Sequence, residues 1–443
     1  MNDLNLAEGT LLFILLSVVG CVLVVVSKRH HATAKLQIKL FLASISIRYL
    51  VSIIIYQFGL MRALGDEDSS GWVAGLGLYQ TWAKHAVTIF ELPATLLNAF
   101  QGHHQGYYYF VGGLFYATDL PGRMSAAAMN CFLGAITVVL AYRIAAVLFS
   151  DWVAFRVGWM SCLFPSLIIW SAQTVKEPVV ILIETIALYA CVQLKVSGFS
   201  LKYVLICVLS CIVVIPFRFY AAYIIGLAVL LSLVVPQVGK MKSTLTSWLA
   251  VASIVGLLFL SSGFLANAER QTEGLDLKYA QKLKNNLARG TGTGVENDYD
   301  LQTPGGFGMA TAIGFAHVML APFPWQLAGG SLRLLLTAPE MIYWWWLFFV
   351  GLIPGVRYAM RNKLSGVLPL VVFIGGLSLL YSIAFGNVGL AYRQRSQLLP
   401  WLLIFACVGL EQRKLRKSKA RSQQPQGNSN TLPGIGPSLP RRV

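Results

Sequence analysis

Carboxylates are scarce in this chain, with 18 Asp and Glu among 443 residues against 35 Lys and Arg. Charged residues of both signs make up only 12%, while 56% are hydrophobic and the mean hydropathy is +0.65. That balance excludes a soluble globular fold and points to a chain threaded repeatedly through a bilayer. Cysteine chemistry is lacking too. Cys21, Cys131, Cys162, Cys191, Cys207, Cys211 and Cys407 lie mostly inside apolar runs, and none has CxxC or Cys/His metal spacing. They read as small apolar fillers, with no disulfide framework. The absence of a Walker loop and of a glycine-rich nucleotide fingerprint argues against a pump driven by bound ATP. Asp3 and Glu8 precede the first apolar segment and Lys28 and Arg29 follow it, the reverse of a secretory signal, so that segment is expected to be a span. The net charge of +17 would suggest nucleic acid in a soluble protein. Here the basic residues gather in short loops and in the tail, where they set membrane orientation, and no nucleic-acid partner is expected.

What is present is a succession of apolar windows. They predict an all-α polytopic membrane protein with about eleven transmembrane helices. The windows fall near 10–27, 38–61, 124–149, 153–171, 178–195, 203–218, 220–237, 244–264, 341–356, 365–384 and 397–411. Basic clusters at 28–35, 195–202, 240–242, 357–363 and 413–421 then share one face, which the positive-inside rule makes cytoplasmic, with the N-terminus out and the C-terminus in. Residues 306–325 are apolar but rich in Gly and Pro. A crossing there would put the basic tail outside, so a re-entrant or interfacial hairpin is expected. Residues 1–411 then form one transmembrane domain with outer loops 62–123 and 265–340, the first carrying juxtamembrane helices. Residues 412–443 read as a basic, disordered cytoplasmic tail.

Chemistry is concentrated on the outer face. Asp66, Glu67 and Asp68 follow the second span, where three adjoining carboxylates repel one another and resist desolvation. Such a run is an ordinary solvated loop or a functional group, able to take a proton from an acceptor hydroxyl or to hold a divalent metal at a phosphate. Arg218, Arg393 and Arg395 oppose the positive-inside bias, so each is expected to face an anion: a phosphate, or an ion pair with Glu177 or a loop carboxylate. Lys176 and Glu177 lie in the short second outer loop, and Glu177 before Pro178 also serves as a plain helix start. His103 and His104 precede an aromatic run containing Tyr107; adjacent loop histidines are more often interfacial than metal-binding. Trp344, Trp345 and Trp346 read as an interfacial belt.

The Gly-Asp-Glu-Asp motif at 65–68, the His-to-Tyr stretch 103–109, the segment 163–178 and the Tyr-Arg-Gln-Arg-Ser run at 392–396 together resemble the C-type (GT-C) glycosyltransferase superfamily. The likeness is to the branch of protein O-mannosyltransferases and lipid A aminoarabinose transferases, over residues 40–230 most closely. The chain departs from that pattern in an additional first span and in Trp72, where Tyr is more usual. The resemblance implies a polyprenyl-phosphate-linked sugar donor, a lipid, glycan or protein acceptor, and inversion at the sugar carbon in an inner (plasma) membrane protein working on its outer, periplasmic face. It implies Asp66 as general base with Asp68 its competitor and Glu67 beside them, and Glu177 as the second acidic position. Arg218, Arg393, Arg395 and Lys176 become the donor-phosphate contacts, and His103, His104 and Tyr107 the contacts to acceptor or sugar. No cofactor beyond an optional divalent metal is implied. The competing readings are a polysaccharide polymerase or ligase, dependent on 266–340, and a lipid-linked-sugar flippase, for which Arg143 and Glu184 are the intramembrane candidates.

Overall fold

An apolar run shielded from water can satisfy its backbone only within itself, so helix is the local solution throughout. The computed structural model is all-helical and describes residues 5–27, 33–61, 71–88, 90–100, 105–234, 277–289, 294–295, 299–327 and 332–422. In chain order come α1 (Leu6–Val26), α2 (Ala34–Gln57), α3 (Gly71–Lys84), α4 (Leu92–Leu96), α5 (Gly106–Thr118), α6 (Arg123–Leu148), α7 (Asp151–Leu163) and α8 (Pro165–Ser171). Then follow α9 (Glu177–Ser197), α10 (Leu201–Val234), α11 (Leu277–Arg289), α12 (Pro304–Leu320), α13 (Pro324–Leu327) and α14 (Leu332–Leu347). A π-helical turn, Phe348–Leu352, leads into α15 (Ile353–Ile383), and α16 (Val388–Ser422) completes the described chain. Among the described residues six helices are long and apolar enough to cross a membrane, or seven if α7 and α8, bent by 53°, count as one span. Their outward faces are apolar: Leu11, Ile14, Val18 and Val22 on α1 and Leu201, Leu205 and Leu209 on α10 are exposed, as hydrocarbon surroundings require.

The sequence reads 203–218 and 220–237 as separate spans, and likewise 341–356 and 365–384. In the structure the members of each pair meet at a kink, with a single non-helical residue at the junction and no intervening loop. At Arg218 (φ −152°, ψ 89°) the chain changes course. Before it α10 runs antiparallel to α9, with Cys207 beside Cys191 and Arg218 on Glu177. After it Tyr220 packs on Tyr381 and Ile224 lies against Gly376. At Lys363 (φ −141°, ψ 26°) the turn is clearer. Met341 meets Arg395 and Gly351 meets Ala406, so this arm runs parallel to α16. Phe373 then meets Trp401 and Tyr381 meets Gln397, so the second arm returns antiparallel. Close approach of the first arm depends on absent side chains, since a Cβ on Gly355 would sit 1.8 Å from the Phe405 carbonyl oxygen.

These contacts define two ends. At one lie Lys363, whose Nζ donates to the Leu148 carbonyl at 3.0 Å, and Ser150, bonded to Glu411. Lys35, Lys195, Lys202 and residues 413–421 fall at the same end by helix direction. Glu177, Arg218, Tyr381 and Arg393 lie at the other. α12 stays there as well: a Cβ on Gly314 would touch the Ser382 backbone, and the Met319 carbonyl accepts from Trp344 Nε1 at 2.6 Å. The segment expected to fold as a hairpin therefore does not run to the Lys363 end. The last expected span, 397–411, is only part of α16, which continues as helix to Ser422. The expected tail boundary at 412 moves accordingly. Gln, Leu, Ala, Lys and Arg are good helix formers, and the basic residues favour a helix C-terminus. The expected span 244–264, the cluster 240–242 and residues 423–443 lie outside the described residues.

Candidate functional site

The site is built from a break in one helix. Pro165 has no N–H to give, so the carbonyl of Ser161, four residues back, loses its helical partner. Ser166 directs its N–H to Glu340 Oε2 at 2.8 Å, which releases the Cys162 carbonyl as well. Both carbonyls are taken by one side chain: Arg48 Nη2 donates to Ser161 O at 3.1 Å and Nη1 to Cys162 O at 3.2 Å. Arg48 Nε reaches Ser171 Oγ at 2.8 Å, so a single guanidinium in the middle of α2 fastens α7 and α8 across their bend. It is 1% exposed, and sequence reasoning missed it. The available signal was Ser44, Arg48, Ser52 and Tyr56, a polar stripe at intervals of four on an apolar helix.

Beyond α8 the 172–176 segment is held by side chains of α2 and α6. Ser52 Oγ donates to the Ala172 carbonyl at 2.7 Å, and the Thr174 N–H donates to the Tyr56 hydroxyl at 2.9 Å. Asn130 Nδ2 spans the carbonyls of Gln173 (2.6 Å) and Val175 (2.8 Å) and the Tyr107 hydroxyl (3.0 Å). Tyr107 is thus a buried support of this segment. The result is a rigid delivery of Glu177 to the start of α9.

Glu177 receives two arginines. Arg218 Nη2 donates to Oε1 at 2.7 Å, while Arg393 Nε and Nη2 donate to Oε1 and Oε2 at 2.9 Å each. The carboxylate is 1% exposed and both guanidiniums are under 10%. Two cations share one anion, and Lys176 adds positive field beside them. Desolvating such a cluster is costly unless each group is well bonded, and the forked Arg393 geometry meets that need. Arg218 Nη1 also donates to the Tyr381 hydroxyl (2.7 Å) and Gln397 Oε1 (2.6 Å). Gln397 donates onward to Glu184 Oε1, two turns deeper on the face of α9 that carries Glu177. Glu184 Oε2 and Arg218 Nε are buried with no hydrogen-bond partner among the described residues. A cavity of 20 Å³ between Arg48, Trp170, Glu177 and Pro400 has room for a single water.

Searches against protein-family models and curated proteins find no match to this chain.

The expected residues divide. Glu177, Arg218 and Arg393 converge, in the ion-pair arrangement that the sequence left open. Arg395 does not join them. Two residues apart on a helix of 3.6 per turn means about 200° of rotation, so Arg393 and Arg395 point to different neighbours. Arg395 Nη1 instead donates to the carbonyls of Ala321 (2.6 Å) and Met319 (3.3 Å), and its guanidinium lies over the Tyr392 and Trp344 rings. Beside it Glu340 accepts from the Ser166 hydroxyl and, at 3.0 Å, from the Tyr392 hydroxyl. Trp344 is buried here, donating to Met319, while Trp346 is exposed, so the three tryptophans do not form one interfacial belt. Arg143 Nε donates to Gln37 at 2.8 Å and Nη1 to Ser27 at 2.9 Å, joining α1, α2 and α6 toward the Lys363 end. Asp66, Glu67, Asp68, His103 and His104 lie outside the described residues. The helix that begins three residues after Asp68 is docked at the Glu177 end. Trp72 is buried beneath the Arg123 guanidinium (5.9 Å), which also covers Tyr56 (4.3 Å). Among the described residues no group of three His, Cys, Asp or Glu side chains could hold a metal ion.

An apolar cavity of about 380 Å³ separates the two arms joined at Lys363, lined among others by Phe315, Met319, Phe348, Val371, Ile374 and Phe405. It adjoins Arg395 through the Met319 carbonyl.

Proposed function

We propose that the protein is a membrane glycosyltransferase of the GT-C type, moving a sugar from a polyprenyl-phosphate donor to an acceptor with inversion. The observation that carries this reading is the Arg218–Glu177–Arg393 cluster: two buried cations on one carboxylate, at the end away from the basic clusters. A leaving phosphate gains charge in the transition state, and pre-placed guanidiniums stabilise it there without reorganisation. Glu177 offsets one of the two positive charges in the absence of donor, and the charge left over is available to the phosphate. The apolar cavity between the Lys363 arms suits the prenyl chain. Asp66 then acts as general base on the acceptor hydroxyl, with Asp68 its competitor, and a divalent metal held by the triplet is compatible with the same step.

The positive-inside rule puts the Lys363 end in the cytoplasm of an inner-membrane protein and the Glu177 end outside. A count of about eleven spans follows when the bent α7–α8 pair is one span, α10 and the α14–α15 run are each taken as two arms, and α16 and 244–264 are added as further spans. A second reading, a lipid-linked-sugar flippase, is favoured by one feature: Glu184, an intramembrane carboxylate with one oxygen unpartnered among the described residues.

The test is release of polyprenyl phosphate from a lipid-linked sugar by purified protein. Release supports the transferase. Movement of the lipid-linked sugar between leaflets without release supports the flippase.

A further inference from the structure

One basic surface lies at the end where basic residues are otherwise few. α11 carries Lys278, Lys282, Lys284 and Arg289 and no acidic residue. Part of its apolar side is packed, with Leu277 and Leu283 left exposed: Ala288 is buried, and a Cβ on Gly386 would meet the Lys284 carbonyl at 2.4 Å and the Leu287 side chain at 3.1 Å. Gln281 accepts the Leu301 N–H at 3.0 Å, and Lys284 Nζ donates to the Tyr299 carbonyl at 3.2 Å. The helix is therefore a docked platform. Its outward stripe is Lys278, Lys282 and Arg289, all exposed and spaced to lie along one side.

An aromatic row continues from this platform. Phe385, next to Gly386, stacks on His317 (4.4 Å), His317 meets the Phe323 ring (5.2 Å), and Phe323 stacks on Trp325 (4.8 Å, 8° between planes). Trp325 is 72% exposed, with its plane set by the ring behind it. A fixed, exposed indole takes the apolar C–H face of a pyranose ring, and a row of cations takes carboxylates or phosphates repeated along a polymer. Between them runs the 385–387 segment, which leads into α16 and Arg393.

We infer that α11 and the Trp325 row form the docking surface for an acidic glycan chain, the acceptor class of the reaction proposed above. A bilayer surface, which the exposed Leu277 and Leu283 could also meet, is the competing occupant that the vesicle arm of the experiment distinguishes. The acceptor role rests on the transferase reading, whereas the binding itself does not.

The experiment uses full-length protein in phosphatidylcholine nanodiscs, without donor, and fluorescent polygalacturonate oligomers, with neutral dextran oligomers of equal length as comparison. Polygalacturonate should bind, and more weakly as salt rises. Lys278→Gln/Lys282→Gln/Arg289→Gln should weaken binding about tenfold, three exposed charge contacts each contributing a small factor. Trp325→Ala should weaken it severalfold in a manner insensitive to salt, and unchanged melting temperatures would show that both variants are folded. No binding of polygalacturonate, equal binding of dextran, equal binding by the charge variant, or capture only by phosphatidylglycerol vesicles would overturn the proposal. Since donor is absent, failure of the polyprenyl-phosphate assay leaves this result standing and separately readable.

Discussion

Arg393 and Glu177 form a geometrically demanding contact, because a forked guanidinium spans both carboxylate oxygens in an apolar setting. Lys in place of Arg393 keeps the charge and loses the fork. Donor affinity of Arg393→Lys, read by titration of polyprenyl-phosphate sugar into purified protein, should fall about tenfold or more, and Arg218→Lys should behave likewise. Parent-like binding by both would remove the phosphate role from the pair. Asp66→Asn addresses the chemistry separately. The amide is nearly isosteric, so folding should survive while turnover drops by roughly 10²–10⁴-fold, the usual worth of general-base assistance. Asp68→Asn measured alongside should differ clearly from it. Full activity in both would reduce the triplet to a solvated loop and favour the polymerase or ligase reading.

At the scale of elements, the bend between α7 and α8 is the feature on which the site depends. It frees two carbonyls and one amide, and Arg48 and Glu340 take them up. Arg48→Met removes a buried charge, which by itself relieves desolvation, but strands the Ser161 and Cys162 carbonyls inside the bundle. The second effect should win, with about 2–4 kcal/mol lost at the usual cost of an unsatisfied buried group. A lowered melting temperature in detergent is the expected reading, together with increased protease cleavage near 172–176. A parent-like melting curve would mean that the break holds without its guanidinium.

Across the described helices, Lys35, Lys195, Lys202, Lys363 and residues 413–421 lie at the end opposite the buried ionic cluster. Topology is open to direct measurement. A cysteine at Asn362, on an otherwise cysteine-free background, should resist membrane-impermeant reagents applied to intact cells, because residues 357–363 carry the basic turn expected on the cytoplasmic side. Labelling there from outside would invert the orientation and move the Glu177 end inward.

Much of this was legible in the residues themselves. Apolar length and charge placement specify helices, their approximate limits and one basic face, because those properties depend only on local transfer energy and on loop charge. The expectation that Arg218, Arg393 and Arg395 each face an anion needed no coordinates; it holds for the first two, whereas Arg395 donates to backbone carbonyls instead. What local pattern could not specify is which groups meet. Arg393 and Arg395 look equivalent in the sequence, yet helical rotation sends one to Glu177 and the other to the Ala321 carbonyl. Arg48 looks like an isolated charge in a span until α7 and α8 are packed against it. Whether α10 and the α14–α15 run turn or continue was likewise settled by neighbours, through contacts such as Tyr220 on Tyr381 and Phe373 on Trp401. Helix formation and sidedness are local properties of the chain, whereas partner choice among buried polar groups depends on distances that exist only once the helices have packed.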